Sequence, residues 1–195
     1  PGPPQAPSMN ILYHFRVRGT GAEGVHIAGI AGAFQEMGHH VKFISPTGIN
    51  PIPSLFDPVA ELNTPPSFTS RLLHRLADQL PQPAFELMEL AYNRVAQRRL
   101  ARAITAFKPD LIYERYAFFN LAGVKTAIRH RIPLILEINE LSGLERVRGL
   151  CWKKLAEKRE SFAIRRATLI SVVSPLLARM AAERRKTEQG IVTIP

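Results

Sequence analysis

The chain has 195 residues, 46% of them hydrophobic, and a formal net charge of +10. This length suits one well-buried domain or two small ones. The single cysteine, Cys151, excludes an internal disulfide framework, and no apolar run approaches the roughly 18 residues of a membrane-spanning helix. The low cysteine content and the lack of a secretory signal favour a cytoplasmic location. Residues 1–8 contain four prolines, and we interpret them as a disordered leader or an expression remnant.

The charge is distributed unevenly along the chain. Residues 1–91 carry 5 Lys/Arg and 7 Asp/Glu, a balance of −2, whereas residues 92–195 carry 21 and 9, a balance of +12. A one-sided basic surface indicates an anionic partner: a phosphorylated ligand, a nucleic acid or anionic lipid headgroups. Solvated helix faces are the alternative. Nucleic acid is the weakest of these partners, because aromatic residues make up only 8% and no nucleic-acid-binding motif is present.

Short apolar runs alternate with helical patterns in chain order. The runs predict strands at 10–15, 40–45, 110–113, 133–138, 168–173 and 190–194. Helical periodicity predicts helices at 22–37, 68–80, 85–107, 117–130, 144–166 and 175–185, with a long loop at 46–67. Strands that alternate with helices form parallel sheets covered on both faces. We therefore predict an α/β fold, a Rossmann-like doubly wound parallel sheet in a single domain over 9–195.

A glycine-rich segment follows the first predicted strand. Gly19-Thr-Gly-Ala-Glu-Gly24 has the spacing Gly-x-Gly-x-x-Gly and lies where a helix begins. Glycine lets the backbone approach a ligand closely, and a helix N-terminus offers free N–H groups, so the segment predicts a phosphate site. A nicotinamide or flavin dinucleotide is disfavoured, because Arg16-Val-Arg18 separates the strand from the glycines and no carboxylate for the ribose follows the second strand.

Polar residues are concentrated at the predicted carboxyl ends of the strands. In open α/β sheets, ligands bind outside these ends. The segments there are Arg16–Gly24, Ser45–Gly48, Glu114–Tyr116, Glu137–Glu140 and Ser174. They bring glycines, arginines, carboxylates and hydroxyls to one edge of the sheet, where we expect the functional site.

Seven segments form an ordered set along the chain. They are Met9–Leu12, Gly21–Ile27, Glu36–Phe43, Lys108–Tyr113, Ile132–Glu137, Leu169–Ser174 and Ile191–Pro195. They include a glycine-rich loop that runs into a helix and a Gly-His-His-Val passage into the second strand. In this order the set resembles the N-terminal domain of a GT-B glycosyltransferase of the retaining glycosyltransferase family 4. The resemblance covers nearly all of residues 9–195.

The resemblance implies a transferase that moves a sugar from a UDP- or GDP-linked donor to an acceptor with retention, without a catalytic metal or other cofactor. The product is expected to be a polysaccharide or a glycolipid. In that family the N-terminal domain mainly binds the acceptor, a sugar or a lipid-linked molecule, and its glycine-rich loop faces the donor diphosphate. The C-terminal donor-binding domain is absent from this chain, so we expect the chain alone to be inactive.

The resemblance also assigns roles to residues at the predicted edge. The donor-phosphate candidates are Gly19, Gly21, Gly24 and Arg18, and the acceptor-binding candidates are Glu23, His26, Glu114, Arg115 and Glu137. The catalytic candidates are Asn139 and Glu140, of which Asn139 occupies a position that the family often gives to histidine. Helix capping, core packing and ion pairs are the alternative roles. His39 and His40 have no partner at metal spacing, so we predict no metal site.

Two predicted helices, 68–80 and 85–107, are amphipathic and basic. The basic residues of the second are Arg94, Arg98, Arg99 and Arg102. Such a surface can lie on anionic lipid, which suits a peripheral protein at the inner face of the membrane with a lipid-linked acceptor. A core-facing helix with a charged back is the more common case. The alternative function is a non-catalytic Rossmann-like module whose basic C-terminal half binds a membrane surface or nucleic acid.

Overall fold

The structure is a computed structural model, which describes residues 7–16, 22–46, 81–144 and 149–194. Six strands in these residues form one sheet: β1 (Asn10–His14), β2 (His40–Ile44), β3 (Leu111–Arg115), β4 (Leu134–Ile138), β5 (Leu169–Val172) and β6 (Ile191–Thr193). The helices of the same residues are α1 (Ala22–Glu36), α2 (Gln82–Phe107), α3 (Ala122–His130), α4 (Lys153–Arg166) and α5 (Pro175–Arg185). None of these helices is long and apolar enough to cross a membrane.

The sheet is parallel throughout, with the strand order β2-β1-β3-β4-β5-β6. Because β1 lies between β2 and β3, the chain reverses its progress across the sheet at this point. Such a reversal opens a crevice at the carboxyl ends of the two strands, where doubly wound sheets bind their ligands. The predicted α/β fold with a doubly wound parallel sheet is confirmed.

The core lies on both faces of the sheet, because alternate residues of a strand point to opposite faces. One cluster joins the sheet to α1 and contains Ile11, Tyr13, Phe15, Ile27, Ala31, Val41 and Tyr113. The larger cluster joins the opposite face to α2, α3, α4 and α5, and its strand residues include Leu12, Ile112, Leu134, Leu136 and Ile138. Both faces of the central strands are therefore covered.

The helix predicted at 117–130 begins five residues later, at Ala122. Residues 117–121 form a turn instead, in which Phe119 adopts a left-handed conformation with φ 62°. The side chain of Asn120 accepts a hydrogen bond from the backbone N–H of Ala122 at 3.0 Å. The side chain of Asn93, on α2, accepts one from the backbone N–H of Leu121 at 2.7 Å. The helical prediction for the turn was wrong, because side chains satisfy the backbone there in place of helical hydrogen bonds.

Two other helix boundaries differ from the prediction. The helix predicted at 144–166 begins at Lys153, since residues 149–152 are not helical and residues 145–148 lie outside the described part. The helix predicted at 85–107 begins at Gln82 and contains Pro83 in its first turn. Proline is tolerated there because the first N–H groups of a helix have no intrahelical partner. The predicted helix 68–80 also lies outside the described residues.

Candidate functional site

A buried carboxylate, Glu137, lies at the carboxyl end of β4 and gathers hydrogen-bond donors from several elements. Its side chain is only 2% exposed. Oε2 accepts a hydrogen bond from the hydroxyl of Tyr13 at 3.1 Å. Oε1 accepts from Nε2 of His26 at 3.1 Å, from the Asn139 amide at 2.6 Å and from the guanidinium of Arg115. A buried charge is tolerated here because it is paired and hydrogen-bonded.

These five residues, which we name the Glu137 cluster, come together through the register of the sheet. Arg115 and Glu137 are register partners on β3 and β4, so their side chains leave the sheet on the same face. This is the face that α1 covers, and α1 contributes His26. Asn139 follows β4 directly. The structure therefore brings together four of the residues that the sequence analysis singled out: His26, Arg115, Glu137 and Asn139.

His26 is the exposed member of the cluster. Its side chain is 41% exposed, against 2% for Glu137. A carboxylate can only accept a hydrogen bond, so Nε2 of His26 carries the hydrogen in this contact. In the neutral ring, Nδ1 is then left as an acceptor, and it has no hydrogen-bond partner among the described residues. The cluster thus fixes the orientation of an exposed polar ring at the carboxyl edge of the sheet.

Two buried tyrosines keep their protons beside Glu137. Burial, and after it the charge of Glu137, raises the pKa of Tyr13 far above its ordinary value. The same two causes, in the same order, raise the pKa of Tyr113. Both phenols therefore stay protonated at physiological pH, and the Tyr13 hydroxyl remains a donor to the carboxylate.

A second carboxylate, Glu114, lies on the opposite face of the sheet and in the interior. Its side chain is 2% exposed, and its Oε1 lies 2.7 Å from Nδ1 of His14. The same oxygen accepts from the Asn120 amide at 3.0 Å and from the backbone N–H of Gly123 at 3.1 Å. Glu114 thus fastens the first turn of α3 to β3. Its acceptor-binding role stays a prediction, and it requires the carboxylate to become accessible.

Two further buried carboxylates were not predicted from the sequence. Glu160 of α4 accepts from the backbone and hydroxyl of Ser142 and from the Tyr116 hydroxyl, and it pairs with Arg184. Glu86 of α2 accepts the backbone N–H groups directly before α4. Together they hold the segment that follows β4. The available signal was helical spacing, because each acid lies among the buried residues of its own helix.

Much of the predicted phosphate loop lies outside the described residues. Gly19, Gly21 and Arg18 belong to that part, so their contacts with a donor diphosphate stay predictions. Gly24 is buried in the first turn of α1, and Glu23 beside it is half-buried. The described part of the loop therefore provides the helix N-terminus that the phosphate prediction requires.

Two charged residues at the same edge lie outside the Glu137 cluster. Arg16 pairs with Glu89, and its guanidinium lies 3.6 Å from the centre of the Tyr92 ring, so its charge is engaged within the protein. Glu140 is exposed, and its catalytic role stays a prediction. Among the described residues, no group of three or more His, Cys, Asp or Glu side chains is placed to hold a metal ion.

Solved structures with this fold are distant in sequence. S. aureus MnaA, in a co-structure with UDP, has a TM-score of 0.56 and 14% identity, over 95% of this chain and 43% of its own. A UDP-N-acetylglucosamine 2-epimerase has a TM-score of 0.56 and 13% identity, over 96% of this chain and 48% of its own. The UDP-GlcNAc 2-epimerase from Neisseria meningitidis, bound to UDP-GlcNAc, has a TM-score of 0.54 and 12% identity, over 95% of this chain and 45% of its own. The chain spans less than half the length of these structures, and such low identity shows the fold alone.

The family is shown by the sequence itself. No curated protein matches the chain significantly. Residues 21–195, however, match the model of the glycosyl transferase 4-like domain. The matched region runs from the glycine-rich segment onward and includes His26, Arg115, Glu137 and Asn139. The resemblance to a GT-B glycosyltransferase domain is thereby confirmed, and the chain belongs to the glycosyl transferase 4-like domain family.

Proposed function

We propose that the chain is the acceptor-binding half of a glycosyltransferase that uses a nucleotide-sugar donor. The observation that carries the proposal is the Glu137 cluster, in which a buried, charge-paired carboxylate presents the exposed ring of His26. His26 lies close to the N-terminus of α1, on the helix that follows the glycine-rich segment. An acceptor on His26 would therefore be near the helix end that favours a phosphate.

The cluster offers groups that match sugar hydroxyls, which both donate and accept hydrogen bonds. Nδ1 of His26 can accept, and so can the amide oxygen of Asn139, because the amide nitrogen is engaged with Glu137. The side chain of Arg115 is 13% exposed and has N–H groups beyond the one that bonds Glu137. Asn139 and Glu140 would then orient the reacting sugar, which is the catalytic role that the resemblance implies.

We propose that the donor is UDP- or GDP-linked and is bound mainly by a second domain. One neighbour in fold was solved with UDP and another with UDP-GlcNAc, which supports this donor class. In this arrangement the diphosphate lies against the glycine-rich segment, with Gly19, Gly21, Gly24 and Arg18. The proposed transfer proceeds with retention and without a metal, and its product is a polysaccharide or a glycolipid. The proposed location is the cytoplasmic side of the membrane, and this chain alone is proposed to be inactive.

The non-catalytic alternative, a module whose basic half binds a membrane or nucleic acid, is not favoured. The match to a glycosyl transferase domain includes the whole basic half, residues 92–195. The polar cluster also lies at the carboxyl ends of the strands, the position where doubly wound sheets bind small ligands.

Glycan binding to the 195-residue chain tests the proposal. His26→Ala removes the exposed ring, and His130→Ala removes an exposed histidine at the C-terminus of α3, at the opposite edge of the sheet. A glycan array should identify bound oligosaccharides. Calorimetry should then show binding weaker by about fivefold to tenfold for His26→Ala alone, as the loss of one hydrogen bond predicts. Full-strength binding by His26→Ala, or an array without a bound glycan, contradicts an acceptor site at this cluster.

A further inference from the structure

An apolar groove lies between the N-terminal ends of α2 and α4. Its volume is about 640 Å³, and it is lined by Leu90, Cys151, Trp152, Lys153, Lys154 and Leu155. Trp152 and Leu155 are each 37% exposed, and Leu87, one helical turn before Leu90 on α2, is 59% exposed. A group of large apolar side chains left in water marks an interaction surface more often than scattered single residues do.

A buried contact joins α2 to the segment before α4, on either side of the groove. The Glu86 carboxylate, 1% exposed, accepts the backbone N–H of Cys151 at 2.7 Å and that of Trp152 at 2.9 Å. The backbone of Trp152 is thereby attached to α2, and this limits where the Trp152 ring can lie. The helices run antiparallel to the strands that precede them, so the groove lies at the same edge of the sheet as the Glu137 cluster. The groove and the proposed acceptor site thus share one edge of the sheet and lie on its opposite faces.

The charges on the groove indicate the partner. The first turn of α4 carries Lys153 and Lys154 and no acidic residue, although the partial positive charge of a helix N-terminus favours acids. Lys153 approaches Glu157 only at 4.0 Å, with both side chains well exposed, and such a pair contributes little. Glu86 already places one carboxylate at this helix N-terminus, but the exposed side chains of Lys153 and Lys154 leave the rim of the groove positively charged. The groove therefore combines exposed apolar side chains with two exposed cations, a surface that is complementary to an anionic one.

We infer that this groove docks onto an anionic lipid bilayer. Leu87, Trp152 and Leu155 would enter the interfacial layer, where tryptophan is favoured. Lys153 and Lys154 would contact the headgroup phosphates while their stems cover the apolar side chains. The inference assigns a surface to the membrane location within the proposed function. It does not need the transferase activity, because lipid contact requires neither a donor nor an acceptor.

The fluorescence of Trp152, the one tryptophan of the chain, reports on this docking directly. Vesicles of phosphatidylcholine alone should leave its emission unchanged. Vesicles that also contain phosphatidylglycerol should shift the emission to shorter wavelength and protect it from acrylamide. An unchanged emission with both kinds of vesicle would overturn the inference, and so would vesicle flotation of the chain without a shift, because binding would then use another surface.

Charge reversal distinguishes lipid binding by this groove from lipid binding by the net positive charge of the whole chain. Lys153→Glu/Lys154→Glu should weaken partition onto the anionic vesicles by about thirtyfold or more, since each lysine near such a surface contributes about fivefold. Lys125→Glu/Arg129→Glu makes the same change in net charge on exposed residues of α3 and should leave partition nearly unchanged. Equal losses in both variants would contradict the assignment. Leu155→Ser keeps the reporter and should reduce the shift, and circular dichroism verifies that each variant folds.

Discussion

Replacement of Glu137 by glutamine tests whether this carboxylate organises the candidate site. Glu137→Gln keeps the size of the side chain and removes its charge. The four donors of the cluster, from Tyr13, His26, Arg115 and Asn139, would then share one amide oxygen. The new amide NH₂ group would face donors where an acceptor is needed, so at least one donor and the Arg115 charge lose their partner.

The expected loss of stability follows from the burial of the ion pair between Arg115 and Glu137. The side chains of Arg115 and Glu137 are 13% and 2% exposed, and removal of one partner from a buried ion pair costs about 3–5 kcal/mol. Because Arg115 keeps some contact with water, we expect the lower end, about 3 kcal/mol. In a protein of this size, each kcal/mol lowers the melting temperature by about 2–4 °C, so the variant should melt about 6–12 °C lower.

Urea denaturation of the chain, followed by circular dichroism, measures this loss. Glu183→Gln, at an exposed carboxylate of α5, is the matched control and should change the free energy of unfolding by no more than about 0.5 kcal/mol. In the double variant Arg115→Gln/Glu137→Gln, part of the loss should be recovered, because no unpaired charge remains. A Glu137→Gln variant as stable as the control would refute the reasoning that the cluster depends on this charge.

Two further predictions concern the supporting structure. Gly123→Ala should lower the free energy of unfolding by about 1–3 kcal/mol in urea denaturation, because its Cβ would lie 2.4 Å from Oε2 of Glu114, whereas Gly29→Ala, with nothing within 4 Å, should not destabilise the chain. Tyr13 has its pKa raised above the ordinary value of 10.0, so the folded state holds this proton more tightly than the unfolded state, and the stability present below pH 10 is lost as the pH rises further. Above that pH the unfolding free energy of the parent chain should fall by up to about 1.4 kcal/mol per pH unit more steeply than that of Tyr13→Phe, and parallel curves would contradict the assigned shift.

Local sequence patterns were sufficient to predict most of the elements. The apolar run at 133–138 became β4, and the periodic segment at 175–185 became α5 with the predicted bounds. Such patterns work because the side-chain periods of strands and helices are properties of the backbone itself. The alternation of strands and helices then indicated a parallel sheet, and a parallel sheet has its carboxyl ends at one edge. The neighbourhood of the site followed from that rule.

Helix starts were predicted less well, because distant side chains decide them. α3 begins at Ala122 since Asn93 and Asn120 engage the backbone before it. α4 begins at Lys153, after N–H groups that bond Glu86, a residue 65 or more positions earlier in the chain. Periodicity within a segment contains no information about such a partner. Helical spacing indicated that Glu86 and Glu160 are buried, but it could not indicate the groups that they bond.

By itself, the sequence determined the fold class, the family and the edge of the sheet where the polar residues gather. Only the tertiary structure decided which of them meet. Glu114 and Glu137 both lie at the ends of strands and look equivalent in the sequence, yet the pleat and register direct them to opposite faces of the sheet. Tyr13 and Glu137 are 124 residues apart in the chain and hydrogen-bonded in the fold. A buried charge is stable only with its partners in place, and register and packing across the sheet bring those partners together.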